Sequence, residues 1–248
     1  MESSLVDLLV LSTLAGLATG LGGLIALIRN PGRKLLGSLM GLAAGIMITL
    51  SFLELMSEAT EIAGLPIAAS GFVIGSLLMF ILDFLLPHRF FSVDEKGVID
   101  GRILKSSMLI AIGISLHNFP EGIAVASGYS YLPRLGVIIA IAMALHNIPE
   151  GMAISLPARR SGASRLAAFR LALVSGLVEP LGALLASVFL EWSLGLVPFG
   201  LSFASGVMVF VTLDELIPIA HEHGHEHFTS LGVIMGCIAT FTLLAFLR

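Results

Sequence analysis

Charge is what this 248-residue sequence has least of. Asp, Glu, Lys and Arg make up 12% of it, 56% is apolar and the mean hydropathy is +1.01. Soluble domains carry roughly 25% charged residues, so this composition belongs to a membrane. Cysteine is nearly absent as well. The single Cys237 lies in an apolar run, which excludes a disulfide framework and any Cys-based zinc site. The ten-residue alternating segments of a membrane β-barrel are missing, and so is any nucleic-acid-binding pattern. Residues 1–7 hold Glu2 and Asp7 but no Lys or Arg, and the apolar stretch after them is too long for a signal-peptide core, so no cleaved signal is expected. The net charge of −4 says little, because placement matters more than the sum.

Long apolar runs are what the chain does have. Eight stand out, at about 4–28, 35–57, 63–87, 104–127, 135–157, 165–190, 196–219 and 228–247. Each is long enough to cross a bilayer core as a helix of roughly 20 residues. Helices are the natural spanning element, since backbone groups cannot stay unpaired in lipid. The expected fold is an all-α polytopic membrane protein, a single transmembrane domain over 1–248. Loops are expected at Asn30-Pro31-Gly32, from Pro87 to Lys105, from Pro157 to Ser164 and over 221–227. Entering from outside, the first helix puts eleven of the thirteen Lys and Arg residues on the inner side, with only Arg134 and Arg248 outside. That bias predicts both termini outside the cytoplasm of a bacterial inner (plasma) membrane.

Two repeats organise these spans. Leu116-His-Asn-Phe-Pro-Glu-Gly122 recurs, changed at one position, as Leu145-His-Asn-Ile-Pro-Glu-Gly151. More weakly, Ala15-Gly-Leu-Ala-Thr-Gly-Leu-Gly-Gly-Leu24 is echoed by Ser175-Gly-Leu-Val-Glu-Pro-Leu-Gly-Ala-Leu184. Gly45-Ile-Met is echoed by Gly206-Val-Met, Glu54-Leu by Glu215-Leu, and Gly71 and Gly75 by Gly232 and Gly236. These offsets are all 160 or 161 residues, so helices 1–3 resemble helices 6–8 around a central pair. Partners five helices apart run in opposite directions, which makes a 3+2+3 inverted repeat, a plan of secondary transporters with the site near the midplane.

The doubled motif carries the chemistry. His117 and Glu121, and equally His146 and Glu150, are four residues apart and share a helix face, with Asn118 and Asn147 beside them. All lie near the middle of their spans, where polar groups are expensive unless they function. Imidazole nitrogen and carboxylate oxygen suit zinc and iron(II), and an amide oxygen is a harder, weaker ligand. Two glutamates from facing helices can bridge two metals about 3.5–4 Å apart. Pro120 and Pro149 each free a carbonyl one turn earlier, so kinked helices around a polar cavity are expected. Glu179, followed by Pro180, adds a third carboxylate at similar depth. The plain alternative for any one of these residues is a helix–helix hydrogen bond. Glu54, Asp214 and Glu215 lie nearer helix ends and are either pathway ligands or solvated carboxylates, and Asp83 reads as interfacial. The run His221-Glu-His-Gly-His-Glu-His227 either binds metal loosely or is a solvated loop.

On these residues the chain resembles the ZIP (Zrt-, Irt-like) metal transporters, and within them the bacterial broad-range zinc importers of the ZupT type. The resemblance covers essentially all eight helices, and its specific marks are 117–122, 146–151 and Glu179. It implies import of zinc, with Fe(II) and also Mn(II), Co(II) and Cd(II) as further cargo, by a protein that is not an enzyme and uses no catalytic cofactor. It implies a two-metal site with His117, Glu121, His146 and Glu150 at one position and Asn118, Asn147 and Glu179 completing the other. A homodimer is implied only by this resemblance. The family's His-rich loop commonly joins helices 3 and 4, whereas here 88–105 holds His88 alone and the His cluster joins helices 7 and 8. Two rivals remain open. One is an intramembrane two-metal hydrolase, against which stand the lack of an HExxH motif and the inverted repeat. The other is an exporter or antiporter of the same ions.

Overall fold

A computed structural model describes residues 2–29, 31–85, 101–223 and 226–247, and among them there is no strand. The helices fall into eight spans: α1 (Glu2–Ile28), α2 (Arg33–Ala63), α3 (Leu65–Leu85), α4 (Gly101–Tyr131), α5 (Pro133–Arg160), α6 (Arg165–Trp192), α7 (Leu194–His221) and α8 (Glu226–Leu247). Seven are long and apolar enough to cross a membrane, and α4, 31 residues long, runs among them as the eighth. The chain is a multi-pass membrane protein.

Several boundaries differ from the sequence reading, each for a local reason. The polar residues Ser57, Glu58, Thr60 and Glu61 suggest an end near 57, yet α2 continues to Ala63 and stops only at Gly64, whose φ of +79° no side-chain-bearing residue adopts easily. Helix α5 runs through Pro157 to Arg160, three residues into the expected loop. The helical turns of α7 extend to His223, so much of the His-rich run is helix rather than loop, while Gly224 and His225 lie outside the described residues. The loop at 88–100 also lies outside them. Pro120 and Pro149 sit inside α4 and α5, and both helices continue past them.

Polarity is turned inside out, as a lipid solvent requires. Large apolar side chains of α3 (Val73, Ile74, Leu77) and of α8 (Ile234, Met235, Ile238) point outward. In the most apolar windows of α3 and α8 only 22% of residues are buried, against 72% in α5, so α5 is central and the other two are peripheral. Buried Ser and Thr hydroxyls mostly return to a carbonyl one turn back, as Ser12 does to Leu8, Ser202 to Pro198 and Thr212 to Met208.

The inverted repeat is visible contact by contact. Helix α1 packs on α5 as α6 packs on α4, and α8 packs on α2 as α3 packs on α7. A methyl group on Gly22 would overlap the Ile148 carbonyl, and one on Gly182 the Phe119 carbonyl. A methyl on Gly151 would overlap the Thr19 carbonyl, and one on Gly122 that of Glu179. Gly45 meets Val233 in the same way that Gly206 meets Phe72. Every one of these pairs obeys the offsets 29, 160 or 161 found in the sequence. Small residues let the backbones touch, the packing that replaces hydrophobic collapse in lipid. Even the irregularities are paired. Ser51–Leu55 in α2 and Thr212–Leu216 in α7 are both π-helical turns, 161 residues apart.

Candidate metal centre

The centre is built where α4 and α5 face each other. His117, Asn118, Glu121, His146, Asn147, Glu150 and Glu179 are all at most 1% exposed. Continuation of α4 and α5 through their prolines keeps each His and Glu on one face, one turn apart. The helices are antiparallel, so each His meets the Glu of the other motif. His146 Nε2 lies 3.1 Å from Glu121 Oε1, and His117 Nε2 lies 3.4 Å from Glu150 Oε2. The His146 ring is oriented by its Nδ1, 3.0 Å from the Ala142 carbonyl, leaving Nε2 toward the centre.

The asparagines are oriented just as symmetrically. Asn118 Nδ2 donates to the Ser175 carbonyl at 2.9 Å, and Asn147 Nδ2 donates to the Ala15 carbonyl at 3.0 Å. With their amide N–H groups turned to α6 and α1, both Oδ1 atoms are left buried without a hydrogen-bond partner among the described residues. Asn147 Nδ2 also donates to Glu179 Oε2 at 2.9 Å, which brings the third carboxylate in. Glu179 owes its position to an interruption that the sequence does not announce. Helix α6 breaks at Leu177, two residues before it, so Glu179 lies in the first turn of a new helical segment. A carboxylate there gains from the helix dipole.

Ligand atoms of His117, Glu121 and Glu150 lie within 4.8 Å of one another. His146 stands just outside that trio, hydrogen-bonded to one of its carboxylates. Oxygens of Glu121, Glu150 and Glu179, and both ring nitrogens of His117, lack hydrogen-bond partners among the described residues. Buried polar atoms are normally satisfied, so orphans converging from three helices are the signature of a cation site. The donor set of imidazole, carboxylate and amide oxygens suits zinc and its divalent neighbours, and its ligands come from three separate helices that can move apart.

Two further carboxylates lie along the line of the centre. Glu54 is 1% exposed, against the reading of a solvated group near a helix end, because α2 runs two turns past it. It borders a cavity of about 110 Å³ together with Glu58, Tyr131, Arg134 and Ile138. Glu215 is half-buried, its Oε2 4.0 Å from where a Cβ on Gly113 would stand, one turn of α4 before His117. Asp214 is exposed, and Asp83 is half-buried. The π turns that carry Glu54 and Glu215 had no signal in the sequence beyond the shared Glu-Leu pair.

Comparison with known proteins agrees with this architecture. A family model described as ZIP zinc transporter matches residues 92–244. The zinc transporter ZupT of Corynebacterium efficiens is 38% identical over 265 aligned residues that cover 99% of both chains. That of Akkermansia muciniphila is 40% identical, covering 92% of this chain and 93% of its own. That of Streptococcus mutans is 36% identical over the whole of both. With its helices, its inverted repeat and its doubled motif in place, the chain belongs to the ZIP family of transporters and not to a family of enzymes.

Proposed function

We propose that this protein carries zinc across the bacterial inner membrane into the cytoplasm, through a site that the two halves of the molecule open alternately. The observation behind this reading is the set of orphaned, fully buried ligand atoms on α4, α5 and α6, framed by two symmetric halves. Three carboxylates buried together repel one another unless cations join them. The ligands are His117, Asn118, Glu121, His146, Asn147, Glu150 and Glu179. They form two adjacent metal positions, with Glu121 and Glu150 shared between them. Ligands of mixed hardness also admit Fe(II), Mn(II), Co(II) and Cd(II).

Positive residues set the orientation, with both termini outside and the α7 end of the path inside. Glu54 is then the outer carboxylate, sealed at 1% exposure, and Glu215 the inner one, half-buried. The ion sheds most of its water past Glu54, binds the centre, and leaves past Glu215 once the halves have moved. Protons arriving from the cytoplasm compete for the same lone pairs and assist release.

The test is uptake by vesicles that contain the protein and a zinc-responsive dye in their lumen. Zinc added outside raises the dye signal if the protein is a transporter. Zinc that binds the purified protein but never reaches the dye makes it a metal cofactor, which would favour the intramembrane hydrolase instead.

A further inference from the structure

The two-fold relation of the halves breaks at one buried position beside the centre. Thr19 in α1 corresponds to Glu179 in α6, 160 residues later. Their backbones are equivalent in detail. The Thr19 carbonyl abuts Gly151 as the Glu179 carbonyl abuts Gly122, and the Thr19 Cβ faces Gly176 as the Glu179 Cβ faces Gly16. The two side chains therefore leave matching points in matching directions, one toward Asn147 and the other toward Asn118. Glu179 is long enough to accept from Asn147 at 2.9 Å. A threonine is two atoms shorter, and among the described residues Asn118 Nδ2 donates to the Ser175 carbonyl alone.

Thr19 itself is fully buried, and its Oγ1 has no hydrogen-bond partner among the described residues. A threonine inside a helix usually returns its hydroxyl to the carbonyl four residues back, as Thr60, Thr212 and Thr240 do here. For Thr19 that carbonyl belongs to Ala15, and Asn147 has taken it. The network that orients one asparagine thus leaves the threonine hydroxyl unspent, next to the equally orphaned Oδ1 of Asn118.

We propose that Thr19 is a specificity-determining residue of the metal path. Its hydroxyl and the Asn118 Oδ1 hold a water molecule that remains on a divalent cation bound by Glu150. At the matching position the Glu179 carboxylate ligates the cation directly. The inference rests on the reading of the centre as a cation path. It makes the two pseudo-equivalent positions chemically unequal, one ionic and dry, the other neutral and hydrated. A neutral oxygen pair favours cations that keep their water, so the Thr19 side holds its ion more loosely and passes it on.

The test compares the full chain with Thr19→Val, Thr19→Ser and Thr19→Glu, by zinc calorimetry on purified protein and by zinc uptake into vesicles. Thr19→Val keeps the shape and removes the hydroxyl. It is expected to raise zinc Kd and uptake KM roughly fivefold to tenfold, the loss of about one buried hydrogen bond. Thr19→Ser should stay within about twofold of the unaltered chain, which a packing role for the methyl would not allow. Thr19→Glu supplies the missing carboxylate and should bind zinc more tightly while moving it more slowly. The proposal is overturned if Thr19→Val binds and carries zinc like the unaltered chain, or if Thr19→Ser is as impaired as Thr19→Val. Should the unaltered chain carry no zinc at all, the transport reading fails, while the calorimetry still decides the role of Thr19.

Discussion

A single side chain in lipid has few ways to be satisfied, and that makes individual residues informative. Glu179 has one oxygen engaged by Asn147 and the other without a partner among the described residues. Replacing it by Gln removes one of three negative charges while nearly preserving volume. Zinc affinity, measured by calorimetry, should fall by tenfold or more with the protein still folded, in the range seen when groups around a metal site are altered. An unchanged affinity would leave Glu179 a structural partner of Asn147. The same logic explains which residues the sequence could reveal. His117, Glu121, His146 and Glu150 were legible because each is repeated and each sits where a polar group needs a reason. Thr19 was not legible, because a threonine in an apolar span is ordinary until its hydroxyl is seen to have nowhere to go.

Helices were legible as runs but not as shapes. Hydropathy located all eight spans, yet it reports depth and not neighbours, so it placed Glu54 near solvent when the longer α2 buries it. It also gave no hint of the two π turns or of the break at Leu177, since the residues there are as apolar as those around them. A π turn holds one residue more than an α turn, and single π turns cluster at functional sites. Deleting Leu213 should therefore convert Thr212–Leu216 to ordinary helix while both flanking faces keep their register. The variant is expected to fold, with unaltered circular dichroism and gel-filtration profiles. Its zinc uptake should drop about tenfold or more, because Glu215 loses the wide turn that aims it at α4 one turn from His117. Normal uptake would show the turn to be incidental.

The whole molecule is two similar halves, facing opposite ways, clasped around α4 and α5. The halves are not in identical states. The outer carboxylate Glu54 is sealed and its inner counterpart Glu215 is half-buried, so this arrangement is nearer to opening on the side of the α7 end. Exchanging the two environments by the internal symmetry gives the opposite-facing arrangement without any new fold, which is how inverted repeats serve alternating access. Orientation can be checked directly, since Cys237 is the only native cysteine. In a Cys237→Ala background, Gly32→Cys should react with an impermeant thiol reagent only from the cytoplasmic side, and Ser193→Cys only from outside. The reverse pattern would turn the transport direction with it.

All of this depends on the buried carboxylates lying on the route of the ion. The most direct measurement is zinc uptake into vesicles carrying the unaltered chain, Glu121→Ala or Glu150→Ala, with folding of each checked by gel filtration. The centre described here predicts saturable uptake by the unaltered protein and a loss of at least a hundredfold in both variants, since each removes a shared ligand and leaves the opposing histidine without its partner. Variants that fold and still carry zinc at the unaltered rate would contradict it, and would place the path of the ion somewhere other than between α4, α5 and α6.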